Sequence, residues 1–348
     1  MTSLIGLDDR PLDAPRVDAL LVVSFGGPEA PEDVVPFLEN VTRGRGIPKE
    51  RLEEVGRHYL DHFGGVSPIN AQVRALVAAL EDQLAQRGPG LPVYWGNRNW
   101  HPLLPDTLAR MREDGLRHAL AIVTSTFPSY SGCRQYREDV ERARDGAGPL
   151  VTKVRHYWSE EGFLAPMARG VVAVRPSPTA RLLFTAHSIP TAMADTSGPD
   201  GGAYVAALRE AAARIVERAG GDHEWELVFQ SRSGSPRTPW LEPDVGDRLA
   251  ELYAEGVREA VMVPVGFTSD HVEVLYDLDV QAAQRVRDEM PGMTVTRAPT
   301  VGTDPQFVAL LRDLVVERLE APDELPDHGG TATHDRCPAR CCPAPRRG

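Results

Sequence analysis

The sequence predicts an α/β protein of two doubly wound, Rossmann-like lobes, each with a parallel four-stranded sheet, and a cleft between the lobes. Three observations predict this fold. Short apolar runs repeatedly precede segments of helical periodicity. The runs are apolar throughout, as parallel strands covered on both faces are. They form two successive blocks of four, and a chain of 348 residues can bury about two cores of ordinary size.

The first block is predicted to occupy residues 17–176, after a flexible segment at 1–16. An additional helical stretch, at 49–63 and then 70–87, separates its first two strands. Insertions of this size often form a lip over a site. The four strands are predicted at 19–24, 93–96, 119–124 and 150–156.

The second block repeats the scheme over residues 177–322, and a tail follows at 323–348. The segment 174–180 is rich in Pro and Ser, which makes it the best internal boundary. The four strands of this block are predicted at 181–186, 225–230, 260–265 and 294–298.

The composition limits the possible partners. A net charge of −12 and a pI near 5.4 leave no general basic field, so a nucleic-acid partner is not expected. The N-terminal segment has no basic region followed by an apolar one, and no run approaches the ~20 apolar residues of a spanning helix. We expect a cytoplasmic protein without a transmembrane segment, and a monomer.

Ligands of open parallel sheets bind at the carboxyl ends of the strands. These ends read SFGG, GNRNWH, TSTFPSYSG, TAHSIP, QSRSG and VGFTSDHVE, and they are rich in polar and aromatic residues. None has the glycine spacing of a dinucleotide or phosphate loop, so neither NAD nor ATP is expected as a cofactor.

A histidine and two acids stand out at these strand ends. His187 directly follows an apolar strand, where a lone histidine is more often a structural hydrogen-bonding residue. Glu273 and Asp277 are spaced i, i+4 on a helix beginning near His271, and Gln281 extends the row. A solvated helix face is the alternative, but like charges at this spacing cost a few tenths of a kcal/mol. If the row faces the cleft, its oxygens can guide a divalent metal or relay protons.

Several blocks match a family in order and separation. LLFTAHSIP, FQSRSGSPRTPWLEPDV and PVGFTSDHVEVLYDLD resemble the signature segments of ferrochelatases, and LLVVSFGGPEAPEDVVPFLENVTRGRGIP and GGVSPIN resemble their N-terminal segments. The resemblance covers about residues 17–320. It implies a chelatase-like fold and an enzyme whose substrates are ferrous iron and a porphyrin. His187 and Glu273 match the family's metal-insertion pair, and the acids that follow, Asp277 among them, match its metal or proton path.

Metal insertion explains why these residue types are needed. Two pyrrole protons must leave as the ion enters, and histidine, with an ordinary pKa of about 6.5, is a base that is neutral near pH 7. A flat porphyrin resists metal entry, so the enzyme should bind the ring bent, using remote contacts. The candidate walls are Phe25, Trp240 and Tyr130, for each of which core packing stays open.

The porphyrin carboxylates also need anchors. Guanidinium and hydroxyl groups can provide them, because both donate hydrogen bonds to carboxylates. The resemblance places the TRGRG loop over the porphyrin. One departure concerns Phe25, since coproporphyrin ferrochelatases of the low-GC Gram-positive type have a tyrosine there that can ligate iron. The candidate anchors are Arg43, Arg45, Ser67, Ser129 and Tyr130.

The four cysteines do not form a disulfide framework. Cys337, Cys341 and Cys342 lie in a Pro- and Gly-rich tail, and Cys133 lies at the start of a helix. Four thiolates match the ligand count of a [2Fe-2S] cluster or of a zinc site, and unligated thiols remain a further alternative. The pattern resembles the [2Fe-2S] ferrochelatases of the high-GC Gram-positive branch. That branch implies coproporphyrin III as substrate, coproheme as product and a structural or sensing cluster.

Other functions remain open at this point. A related chelatase could act on protoporphyrin IX, or insert cobalt or nickel into another tetrapyrrole. A non-catalytic haem- or iron-binding protein would not need a proton-accepting histidine beside a row of carboxylates. A redox sensor that uses only the cluster is a third alternative. For the enzyme we expect transient contacts with neighbouring haem-pathway enzymes.

Overall fold

A computed structural model describes residues 16–44, 46–233, 237–320 and 341–344. Within them the chain forms two parallel four-stranded sheets. The strands are β1 (Ala19–Ser24), β2 (Val93–Asn97), β3 (His118–Val123), β4 (Leu150–Lys153), β5 (Arg181–His187), β6 (Trp225–Gln230), β7 (Glu259–Val263) and β8 (Thr294–Arg297). The strand orders are β2-β1-β3-β4 and β6-β5-β7-β8, and every pairing is parallel.

Helices connect these strands, as parallel pairing requires. Two segments have the wider π-helical hydrogen bonding, and we name them π1 (Tyr130–Arg134) and π2 (Leu275–Ala282). The α-helices are α1 (Val34–Val41), α2 (Lys49–Phe63), α3 (Ile69–Arg87), α4 (Leu104–Glu113), α5 (Gln135–Arg144), α6 (Glu161–Ala173), α7 (Thr191–Asp195), α8 (Ala203–Ala219), α9 (Val245–Ala254), α10 (Val272–Val274), α11 (Ala283–Glu289) and α12 (Pro305–Glu320).

The predicted α/β fold with two parallel four-stranded sheets is confirmed. Strands β1 and β6 have the predicted bounds, and most others differ from them by a residue or two at an end. The clearest difference is β4, predicted to reach residue 156, which ends at Lys153. The buried run continues past the strand, because Val154, Arg155 and His156 are buried although the pairing with β3 ends at Lys153.

The core joins the two halves of the chain. Each sheet is formed wholly on one side of the predicted boundary at residues 174–180, but the largest apolar cluster contains residues of both sheets. Helix α6 packs against α8, and the late helix α12 packs against α3 and α6 of the first half. The division into two lobes therefore describes the sheets better than it describes the packing of the helices.

The predicted lip corresponds to α2 and α3, and α2 lies together with α1 against α10, the beginning of the helix that carries Glu273 and Asp277. Phe37 and Tyr59 form one apolar cluster with Val272 from the second half. His58 on α2 stacks on Tyr276 of π2, with 3.9 Å between ring centroids and 11° between ring planes. The lip therefore brings side chains of the first half onto the row that carries Glu273.

Candidate active site

His187 is the last residue of β5, where a side chain can point out of the sheet into the space beyond the strand ends. Its backbone carbonyl accepts a hydrogen bond from the Tyr204 hydroxyl at 2.9 Å. Its Nδ1 lies 2.5 Å from the carbonyl oxygen of Ser188. Because a carbonyl oxygen can only accept, Nδ1 carries the hydrogen and Nε2 presents a lone pair. The backbone therefore sets the tautomer that a proton acceptor needs.

Glu273 brings a carboxylate to that lone pair. Its Oε2 lies 3.9 Å from Nε2 of His187 and 3.9 Å from Nδ1 of His271. Metal–ligand bonds to imidazole or carboxylate are about 2.1 Å long, so a gap of less than twice that length lets one ion contact both groups. The Glu273 side chain is 48% exposed, which leaves the carboxylate accessible.

The helix that carries this row differs from the prediction. Glu273 lies in the single turn α10, and Asp277 lies in π2, where a regular α-helix was predicted. In either geometry four residues make about one turn, so the two acids still share a side of the helix. No Gly or Pro in LYDLDVQA marks the change of hydrogen bonding, so the sequence gives no signal for it. Segments of π-helix occur frequently at functional sites.

Asp277 is an acid whose environment favours its neutral form. Burial raises the pKa of Asp277 to about 6, and the nearby Glu273 carboxylate adds to the shift, while a hydrogen bond from the Ser231 hydroxyl opposes it. The folded protein therefore holds this proton more tightly than the unfolded chain does. The ionised carboxylate destabilises the fold above pH 6, and that destabilisation disappears as the pH falls from about 6 towards 4. Asp277 can exchange a proton near neutral pH.

Two residues of the site were not predicted. His271 lies beside Glu273, and burial lowers its pKa, so this second imidazole is neutral at pH 7. Its place two residues before Glu273, in SDHVE, was the available signal. Tyr59 on α2 is buried near both acids, and burial together with their charges raises its pKa. Only the tertiary packing of the lip places Tyr59 there.

The candidate porphyrin walls lie at different strand ends. Phe25, directly after β1, is 36% exposed and packs edge-on against Phe37, with the guanidinium of Arg98 6.0 Å from its ring centroid. Trp240 is half-buried and forms an isolated antiparallel β-bridge with Pro190, which lies close to His187 in the chain. Its indole nitrogen is buried and has no hydrogen-bond partner among the described residues. The Phe25 side chain is therefore partly accessible, and Trp240 is less exposed.

The candidate anchors differ in what they already bind. Arg43 is exposed in the turn after α1, and Arg45 lies outside the described residues. Ser67 is buried, and its backbone N–H donates to the Pro28 carbonyl. The Ser129 hydroxyl accepts from the N–H of Gly132 at 2.8 Å, which caps π1. The last candidate, Tyr130, donates its hydroxyl to Glu138 at 3.1 Å.

Three of the four cysteines come together. Cys133, in π1, forms a buried contact cluster with Cys341 and Cys342, whose sulfurs are 3.8 Å apart. The N–H of Gly198 donates to Cys342 Sγ at 3.1 Å. Cys337 lies outside the described residues. Among the described side chains, no group of three or more His, Cys, Asp or Glu is arranged to hold a metal ion.

Comparison with solved structures gives the class of the fold. CbiX, described as the terminal enzyme for siroheme biosynthesis in denitrifying bacteria, is similar with a TM-score of 0.50 at 16% identity, over 86% of this chain and 98% of CbiX. SirB from Bacillus subtilis, solved with Fe³⁺, gives 0.53 at 14% identity, over 88% and 97%. The fold is that of the two-sheet α/β chelatases. In the described ranges, each helix is too short or too polar to cross a membrane.

Sequence comparison identifies the family. The ferrochelatase family model matches residues 17–319. A protein of Streptomyces coelicolor named coproporphyrin III ferrochelatase is 55% identical, over 96% of this chain and 95% of its own length. A protein of Nocardia farcinica with the same name is 49% identical, over 95% and 98%. The chain belongs to the ferrochelatase family, so the prediction of an enzyme of this family is confirmed.

Proposed function

We propose that this enzyme inserts ferrous iron into coproporphyrin III and releases coproheme in haem biosynthesis. The observation that carries the proposal is the pair formed by His187 and Glu273, an imidazole lone pair 3.9 Å from a carboxylate oxygen at the strand ends. The names of the Streptomyces and Nocardia relatives support the choice of porphyrin. The expectations of a cytoplasmic monomer with transient contacts to neighbouring haem-pathway enzymes stay predictions.

The residues divide the reaction between them. The porphyrin loses two N–H protons and gains Fe²⁺, so the reaction is redox neutral. Nε2 of His187 accepts a pyrrole proton, because Nδ1 already donates to the Ser188 carbonyl. Glu273 contributes an oxygen ligand and a negative charge to the entering ion. Asp277, one helical turn away and with a pKa of about 6, can take up a proton and release it near neutral pH.

The first test of the proposal is substrate preference. Under anaerobic conditions with Fe²⁺, kcat/KM should be about tenfold or more higher for coproporphyrin III than for protoporphyrin IX. Two further propionates allow added charge-assisted hydrogen bonds, each worth about 1.5–3 kcal/mol. The change in the Soret band measures the rate, with Co²⁺ and Ni²⁺ run in parallel. A higher value for protoporphyrin IX contradicts the choice of coproporphyrin, and insertion of only Co²⁺ or Ni²⁺ contradicts the choice of iron.

The cysteines support a second part of the proposal, a resident [2Fe-2S] cluster held by Cys133, Cys337, Cys341 and Cys342. Three of these thiols are buried together although they come from distant parts of the chain. An N–H donor at Cys342 Sγ is suited to a thiolate ligand, since hydrogen bonds to the sulfurs tune such clusters. When bound, the cluster would link the tail covalently to π1, and this link would be sensitive to redox conditions. Since metal insertion is redox neutral, we assign it no electron-transfer step.

The cluster proposal predicts a spectrum and a composition. Anaerobically purified protein should be red-brown and contain about two irons and two sulfides per chain. The Cys133→Ser variant should lose the visible absorption and show a lower melting temperature, because loss of one ligand releases the tail. The matched control is Ser131→Ala in the same turn, which should keep both. Bound zinc, or a Cys133→Ser variant that keeps the full spectrum, contradicts the cluster.

A further inference from the structure

Gln230 contacts the chain segments of both members of the insertion pair, His187 and Glu273. It is the last residue of β6, and the strand register places it directly beside His187 at the end of β5. Its side chain is buried, with 1% of the residue exposed. Its backbone carbonyl accepts from the N–H of Ser188 at 2.8 Å. Its side-chain Nε2 donates to the backbone carbonyl of Glu273 at 3.3 Å. One residue therefore contacts both chain segments that carry the pair.

The hydrogen bond from the Gln230 side chain to the Glu273 carbonyl lies at a point where the helix needs support. Glu273 lies in α10, immediately before the helix widens into π2. Where hydrogen bonding changes from i→i+4 to i→i+5, the backbone is not held as it is inside a regular α-helix. A donor from β6, an edge strand whose six residues all pair with β5, fixes the carbonyl of Glu273 relative to the sheet. The hydrogen bond from the Ser188 N–H to the backbone carbonyl of Gln230 fixes the peptide that joins His187 to Ser188.

Packing alone does not account for an amide at this position. The Oε1 atom of Gln230 is buried and has no hydrogen-bond partner among the described residues. A buried acceptor without a partner destabilises a fold, and an apolar side chain of similar size avoids that cost. The amide is therefore explained by its N–H donor, which holds the backbone carbonyl of Glu273.

We propose that Gln230 is a positioning residue that sets the separation between His187 Nε2 and the Glu273 carboxylate, and through it the metal selectivity of insertion. The inference rests on the proposed function, in which these two groups form the insertion pair. Ions differ in the ligand geometry they accept, so a pair held at one separation does not serve Fe²⁺ and Zn²⁺ equally. Loss of the amide donor releases the backbone of Glu273 in α10 and changes the separation between His187 Nε2 and the Glu273 carboxylate.

The test is the Gln230→Leu variant, which keeps the approximate size of the side chain and removes the donor. Displacements of about 1 Å at a reacting centre can cost 10²-fold in rate, so kcat for Fe²⁺ should fall about 10- to 100-fold. KM for the porphyrin should stay within about twofold, because Gln230 does not lie on a candidate wall or anchor. The ratio of kcat for Fe²⁺ to kcat for Zn²⁺ should change at least about threefold, and the melting temperature should not fall.

Two further variants separate positioning from stability. Gln230→Met keeps the length of the side chain but has no donor for the Glu273 carbonyl, so it should lose as much activity with Fe²⁺ as Gln230→Leu. Thr152→Val on β4 removes a buried hydroxyl that lies 2.8 Å from His118 Nε2, at a site in the other sheet. It should lower the melting temperature without changing the ratio of Fe²⁺ to Zn²⁺ rates.

The outcomes are distinguishable. A Gln230→Leu variant with the wild-type kcat and the wild-type metal ratio overturns the inference. Equal losses with Fe²⁺ and Zn²⁺, accompanied by a fall in melting temperature like that of Thr152→Val, show a merely structural role and also overturn it. If His187→Ala and Glu273→Gln both keep full activity, the proposed function itself fails, whatever Gln230→Leu does.

Discussion

Replacing His187 with alanine is expected to lower kcat for iron insertion by about 10²- to 10⁴-fold, the usual contribution of a general base. The structure gives the reason, since Nδ1 is committed to the Ser188 carbonyl and only Nε2 is available to accept a pyrrole proton. Porphyrin binding should change little because the walls and anchors remain. Anaerobic Soret kinetics measure the rate, and quenching of porphyrin fluorescence measures binding.

The control for this variant is another histidine of the second half. His223 precedes β6 and so lies at the opposite end of the sheet from His187. His223→Ala should keep the wild-type rate. A His187→Ala enzyme that retains more than about a tenth of the wild-type kcat is incompatible with a general-base role, for which losses of about 10²-fold or more are normal. A non-catalytic iron- or haem-binding protein would show no turnover in either variant.

The Glu273→Gln substitution is expected to lower kcat by about 10²-fold or more, because it removes the charge and an oxygen ligand at the point where the ion meets His187. Asp277→Asn should slow turnover less, since that carboxyl lies one helical turn further away. Rates at limiting and at saturating Fe²⁺ separate the delivery of the ion from its insertion.

The matched control for these acids lies on the same helix. Asp279 of π2 accepts from Arg297 at 2.9 Å, so its charge is already paired. Asp279→Asn should leave kcat within about twofold of wild type, as a surface ion pair contributes little. If Glu273→Gln and Asp277→Asn are as active as Asp279→Asn at both iron concentrations, the acids do not serve the reaction.

The strands could be predicted because parallel strands buried on both faces are apolar along their length. β1 shows this best, since all six of its residues are buried and its predicted bounds are those found. The bounds of β4 could not be read in the same way, because Val154, Arg155 and His156 continue the buried run after pairing with β3 ends. Burial alone therefore does not show where strand pairing ends.

The candidate site could be predicted where its residues are local in the chain. The His187 and Glu273 segments could be predicted because each lies at or after the carboxyl end of a parallel strand and resembles a signature segment of the family. The π-helical course of the acidic row has no signal in its residue types. Tyr59 could not be predicted because it reaches the acids only through the packing of a helix from the other half. Cys337 lies outside the described residues, so its place in the cluster stays a prediction.

Helix α12 has a consequence for how the protein is made. It is synthesised after α3 and α6, yet it packs against both of them. Domains commonly fold as units during synthesis, N-terminal part first, but here the sides of α3 and α6 that contact α12 stay uncovered until α12 has been made. The finished chain should unfold in one cooperative transition, because the largest apolar cluster contains residues of both halves and is broken when either half unfolds.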